Sequence, residues 1–129
     1  MVCINESNCP FCHVQSSQRM LFENQSCRVL FDGFPVSPGH LLIIPKRHVA
    51  SYFDLSTEEQ QALWTMVNQC KTYLDEQFHP DGYNVGINVN ETAGQSIPHV
   101  HIHLIPRYQG DVPNPRGGVR GVIPHKQNY

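Results

Sequence analysis

Residues 98–106 read Pro-His-Val-His-Ile-His-Leu-Ile-Pro. His99, His101 and His103 occupy every second position, and Val100, Ile102 and Leu104 fill the gaps. Successive side chains of a β-strand point to opposite faces. The run from Val100 to Ile105 therefore predicts one strand with an apolar face toward a core and a face of imidazoles away from it. Imidazole is the side chain that titrates near neutrality, and three on one face mark a site rather than scattered polar partners.

Two chemistries can use such a row. One is a metal centre. Histidines two apart lie about 6.6 Å from each other along a strand, and the outer pair about 13 Å. Zn–N bonds are about 2.1 Å, so a pair can chelate but a flat strand does not easily bring all three to one ion. The other is covalent catalysis, in which one imidazole attacks phosphorus while neighbours manage protons and charge.

The rest of the chain reads as a frame for this strand. Met20 to Glu23 and Cys27 to Asp32 flank a turn at Asn24-Gln25-Ser26 and predict a hairpin. Gly33 to Gly39 holds two prolines and two glycines and reads as a loop. His40 to Pro45 reads as a buried strand. Ser56 and Glu59 form a capping-box pattern. Leu63, Met66, Val67, Cys70, Tyr73, Leu74 and Phe78 then repeat at helical spacing, and Pro80 and Gly82 end the helix. Tyr83 to Val89 reads as a strand, Asn90 to Gly94 as a turn, and residues 109–129 as an irregular tail. Strands, one helix, then strands predict an α+β fold with an antiparallel sheet of about five strands.

The 129 residues fit a single domain, residues 1–129, with an N-terminal arm at 1–18. Hydrophobic residues at 40% and charged ones at 16% suit a globular chain. A net charge of −2 argues against general nucleic-acid binding. The longest apolar runs, such as Leu41 to Pro45, are too short to span a bilayer. The N-terminus lacks a charged region followed by an apolar stretch. A cytoplasmic protein without a membrane partner is expected, and its five cysteines are not read as a disulfide framework. Cys27, Cys70 and Cys3 read as core or surface cysteines, with Cys70 on the apolar face of the helix.

Gly94-Gln95-Ser96 followed by the alternating histidines closely resembles the signature of the histidine triad (HIT) family. Pro38-Gly39-His40-Leu-Leu-Ile-Ile-Pro45-Lys-Arg-His48 resembles an earlier segment of that family. Arg107 to Asp111, Arg-Tyr-Gln-Gly-Asp, resembles the segment after the triad in its diadenosine-polyphosphate hydrolase branch. The resemblance spans roughly residues 9 to 111. It implies a HIT-like fold, a homodimer and a nucleotide substrate. His101 is then the nucleophile, and His103 stabilises phosphate oxygens or assists the leaving group. His40 orients the nucleophile's ring. Ser96 and Gln95 match phosphate-contacting positions. Asp32 and Asn88 match residues that hold the nucleotide, and a carboxylate can accept from both ribose hydroxyls.

Cys9-Pro10-Phe11-Cys12 has the Cys-x2-Cys spacing of zinc sites but supplies only two of four ligands. His48 and His99 are the best candidates for the other two, with His13 as a competitor to His48. The resemblance supports two Cys and two His around a structural zinc. Arg116 and Arg120, in the glycine-rich tail, are candidates for the distal phosphates.

The expected reaction is hydrolysis at the α-phosphate of a dinucleoside polyphosphate, diadenosine tetraphosphate first, through a nucleotidyl-histidine. Activity should then fall as His101 protonates. The same residues suit an adenosine phosphoramidase, another AMP-ester hydrolase or a nucleotidyltransferase, although the related uridylyltransferases carry Gln where this chain has His103. A non-catalytic nucleotide-binding adaptor and a metal-dependent hydrolase using His99 and His101 as ligands complete the alternatives.

Overall fold

A computed structural model of the protein describes residues 7–13 and 19–129. Cys3 and most of the N-terminal arm lie outside the described residues. The sheet holds five strands: β1 (Met20–Glu23), β2 (Cys27–Phe31), β3 (Leu41–Pro45), β4 (Gly82–Ile87) and β5 (Ile102–Arg107). Every neighbouring pair is antiparallel, in the order β1-β2-β3-β5-β4. One long helix, α1 (Thr57–Phe78), covers one face.

Local chemistry sets these boundaries. The Asn24 side chain accepts from the N–H groups of Ser26 and Cys27, both at 2.8 Å, and closes the β1–β2 hairpin. Ser56 and Glu59 cap α1 reciprocally, as their spacing predicts. The helix stops at His79, whose left-handed φ of 52° lets its N–H reach the Leu74 carbonyl.

The sheet is apolar on both faces. Cys27, Val29, Leu41, Ile43, Ile102 and Leu104 pack with Leu63, Met66, Val67, Cys70 and Leu74 of the helix. Leu30, Leu42 and Ile44 point the other way and are covered by Cys9 and Phe11 of the arm. Burial holds the thiol of Cys70 up at about 12, which suits a packing role.

The triad strand begins later than its alternation predicts, at Ile102 instead of Val100. Its partner β3 ends at Pro45, which has no N–H to continue the ladder. The Pro45 carbonyl instead accepts from the His99 ring, and Val100 N–H donates to Val49. On its other side β5 runs to Arg107 by pairing with Gly82. Tail residues Gly118–Val122 and Pro124–Lys126 form short 3₁₀ turns rather than a wholly irregular segment.

Candidate functional site

Alternation survives although the ladder starts late. Val100, Ile102 and Leu104 enter the helix-side core, and the three histidines project from the opposite face. This face is not open, however. His99 is fully buried and His101 is 7% exposed, while His103 is only half-buried. The three rings stand at graded depth, which suits them to different tasks.

His101 is held by its own chain. Its Nδ1–H donates to the His99 carbonyl at 2.8 Å. That bond fixes the tautomer and leaves Nε2 unprotonated. Phe11, between the two arm cysteines, packs its ring edge-on at 5.1 Å between centroids. Burial pushes the imidazole below its usual pKa, opposed by the His99 carbonyl and the Asp32 charge.

His40, expected to orient His101, bonds to His103 instead. Val36 N–H donates to His40 Nδ1 at 3.2 Å, so His40 carries its proton on Nε2. That Nε2–H donates to His103 Nδ1 at 3.0 Å and lies 3.4 Å from Asp32 Oδ2. His103 is thereby left with its proton on Nε2. Its pKa falls to about 4, through burial first and then the neighbouring His101 and His40. The reason for this pairing is register: Leu42 lies opposite His103 in the β3–β5 ladder, and His40 stands just outside the start of β3.

The loop before His40 is tied to the sheet. Ser37 donates to the Pro106 carbonyl at 2.6 Å, and Tyr108 O–H to the Pro38 carbonyl at 2.7 Å. Gly39 sits at φ 88°, where an added Cβ would lie 3.1 Å from Leu74 and 3.2 Å from Phe78. Arg107, whose role the sequence leaves open, makes a two-pronged pair with Asp111 and donates to Asn84 at 2.6 Å. The Arg-Tyr-Gln-Gly-Asp segment therefore braces the site.

Asp32 serves both a turn and the site. Oδ1 accepts Phe34 N–H at 2.8 Å, while Oδ2 faces His40 and His103. Asn88 lines a groove of about 440 Å³ together with His40, His103, Asn84 and tail residues such as Val119. Ser96 is exposed. Gln95 is not placed to bind phosphate. Its Oε1 accepts from Asn90 N–H, its Nε2 donates to the Ala50 and Ile97 carbonyls, and its backbone N–H donates to Asn90. Every donor of this buried amide is engaged, so it shapes the loop. Arg116 and Arg120 each lie 4.7 Å from the Tyr129 ring, and Arg120 also donates to the Lys126 and Gln127 carbonyls. Both arginines are engaged within the tail.

Behind the triad, Cys9, Cys12, His48 and His99 present four ligand atoms that all lie within 4.8 Å of one another. Cys9 Sγ and Cys12 Sγ each lie 3.5 Å from His99 Nδ1, Cys12 Sγ lies 3.3 Å from His48 Nδ1, and the two Nδ1 atoms are 3.2 Å apart. Tetrahedral zinc bonds of about 2.3 Å to sulfur and 2.1 Å to nitrogen call for about 3.6 Å and 3.4 Å. The four residues could therefore hold a metal ion. His99 Nε2–H donates to Pro45 at 2.8 Å and leaves Nδ1 for the ion. His13 points elsewhere, to the Ser7 carbonyl at 3.1 Å.

Sequence reading missed Phe11 and Val36. An apolar residue inside the Cys-x2-Cys pair was a weak signal for the first. Val36 acts through backbone N–H, which no side-chain pattern reveals.

Known proteins carry the same frame. The bis(5'-adenosyl)-triphosphatase of Dictyostelium discoideum is 42% identical over 80 residues, which cover 62% of this chain and 54% of that protein. The asymmetrical bis(5'-nucleosyl)-tetraphosphatase of Schizosaccharomyces pombe is 40% identical over 77 residues, covering 60% of this chain and 42% of that protein. The chain thus spans about half the length of these two relatives, or less. A crystal structure of a Zn-bound histidine triad family protein from Mycobacterium smegmatis matches with a TM-score of 0.75 at 29% identity, over 83% of this chain and 80% of that one. The HIT domain family matches residues 13–110. With the sheet, the alternating histidines and this match in agreement, the chain belongs to the HIT domain family.

Proposed function

We propose that this protein hydrolyses dinucleoside polyphosphates at the α-phosphate, with diadenosine tetraphosphate the first substrate to try. The observation that carries the reading is the Nδ1–H bond from His101 to the His99 carbonyl, which leaves Nε2 as a lone-pair nucleophile. The names of the two enzyme relatives supply the substrate class.

His101 Nε2 attacks the α-phosphorus, a P–N bond forms, and the P–O bond to the remaining nucleotide breaks. That nucleotide leaves as an anion and needs no proton at neutral pH. The positive charge gained by His101 spreads over the imidazolium ring, and the Nδ1–H bond to the His99 carbonyl stabilises it. His103 Nε2–H donates to a phosphate oxygen as charge develops, and His40 holds that ring in its donor tautomer. Asp32 accepts from ribose, Asn88 contacts the nucleotide, and Ser96 lends phosphate a donor. Water then attacks the phosphorus and the P–N bond breaks; AMP leaves with the new oxygen, the water's protons pass to the AMP phosphate and to solvent, and His101 returns to its starting neutral tautomer.

Cys9, Cys12, His48 and His99 would hold zinc in this reading. With four protein ligands such an ion would supply architecture rather than chemistry. These residues would tie the arm to His99, whose carbonyl orients His101. A homodimer is part of the same reading, and the exposed Val119, Val122 and Ile123 of the tail offer it apolar surface.

Mass spectrometry of protein quenched during turnover tests the mechanism. An AMP adduct on His101, absent in His101→Ala, is the expected result. An adduct elsewhere, or full turnover by His101→Ala, overturns it.

A further inference from the structure

We propose that Asp32, His40 and His103 form a second divalent-cation site, of zinc or cobalt class, separate from the thiolate cluster. His40 Nε2, His103 Nδ1 and Asp32 Oδ2 lie within 4.8 Å of one another. Their separations are 3.0 Å between the imidazoles, 3.4 Å from His40 to Asp32 and 4.0 Å from His103 to Asp32. A tetrahedral ion with bonds of about 2.1 Å calls for donor separations of about 3.4 Å, so the His40–Asp32 pair fits as it stands, while the imidazole pair must open and the His103–Asp32 pair close by about half an ångström.

The donor set is two neutral imidazoles and one carboxylate, which suits zinc and other first-row ions. Three protein ligands leave a fourth position for water, unlike the closed thiolate site. Access exists, because His40 and His103 line the groove and the side chains of His103 and Asp32 are only partly covered. The two clusters share no residue. They flank His101, which touches one through the His99 carbonyl and the other through the His103 ring, 5.2 Å away between centroids.

Binding has a cost that the geometry names. The ion takes the Nε2 lone pair of His40, so that proton moves to Nδ1 and the 3.2 Å bond from Val36 N–H is given up. The His40–His103 hydrogen bond is replaced by two metal–nitrogen bonds, and His103 keeps its Nε2–H. This site is therefore the weaker of the two and exchanges its ion.

Titration of metal-free protein with cobalt(II) and zinc tests the proposal. The first cobalt equivalent should bring thiolate charge-transfer absorption. The second should add only the weak visible bands of nitrogen and oxygen ligands. Asp32→Asn and His103→Gln should each lower the stoichiometry from two to one, with thiolate absorption intact as the check on folding. Cys12→Ser should weaken that absorption, since one thiolate of the pair remains at Cys9, and leave the nitrogen–oxygen bands of the second equivalent unchanged. In the unsubstituted protein, the Val36 amide NMR signal should move only with the second equivalent of zinc. Saturation at one equivalent overturns the site, as does a second equivalent that persists in both variants or leaves Val36 unmoved.

Discussion

His40 Nε2 lies 3.0 Å from His103 Nδ1, and this contact joins the loop before β3 to the triad strand. It makes His40 the partner of the groove-facing histidine, while His101 takes its orientation from the His99 carbonyl. The rings of His103 and His101 are thus positioned independently, one by a side chain and one by backbone.

Replacing His101 with Ala should remove the nucleophile and lower kcat by at least about 10³-fold, since the remaining groups only bind and polarise the phosphate. Steady-state hydrolysis of diadenosine tetraphosphate reads the loss. A residual rate within tenfold of the parent protein rules out covalent catalysis by this ring.

His40→Phe removes the Nε2–H donor and frees the His103 ring. A misplacement of about 1 Å in a catalytic group costs about 10²-fold in rate. We expect kcat to fall by that order with KM little changed. A KM effect alone would assign His40 to substrate binding.

Chelation separates a structural ion from a catalytic one. If Cys9, Cys12, His48 and His99 hold zinc, treatment with a chelator should lower the melting temperature by about 10 °C or more. Activity should decline only as the fold loosens. Immediate, fully reversible loss of activity without a change in melting would instead mark a metal-dependent reaction.

Acid stability should depend on Glu59. Arg47 pairs with its carboxylate through two bonds of 2.9 and 2.8 Å, and the Ser56 backbone N–H donates to it. The Arg47 bonds first and the Ser56 bond second lower its pKa from 4.5 to about 2. A depressed folded-state value favours the native state above the unfolded value, and that contribution fades as pH falls from 4.5 toward 2. Glu59→Gln should therefore destabilise the protein by about 1 kcal/mol at pH 7, in the range of a helix cap. The difference should shrink toward pH 2. Urea unfolding at both ends of this window measures it, and a constant gap would refute the ionic contribution.

Much was legible in the sequence because the signals were local. Alternation at 99–104 fixed which side chains oppose the helix-side core, since strand geometry has a period of two wherever the chain is extended. Capping at Ser56 and Glu59, the Asn24 turn and the Cys-x2-Cys pair depend on neighbours a few residues apart, and all lie where their spacing predicts. The partners across the sheet were a different matter. Register brings His40 to His103, 63 positions away, and Pro45 to the His99 ring, 54 positions away. Gln95 looked like a phosphate contact in the sequence but turns inward, because Ala50 and Asn90 come close enough to take its amide. Residue type and spacing chose the chemistry available to this chain. Tertiary structure decided which nitrogen of each imidazole is engaged and which is left for a ligand, because that depends on groups distant in sequence that only the packed sheet brings within hydrogen-bond reach.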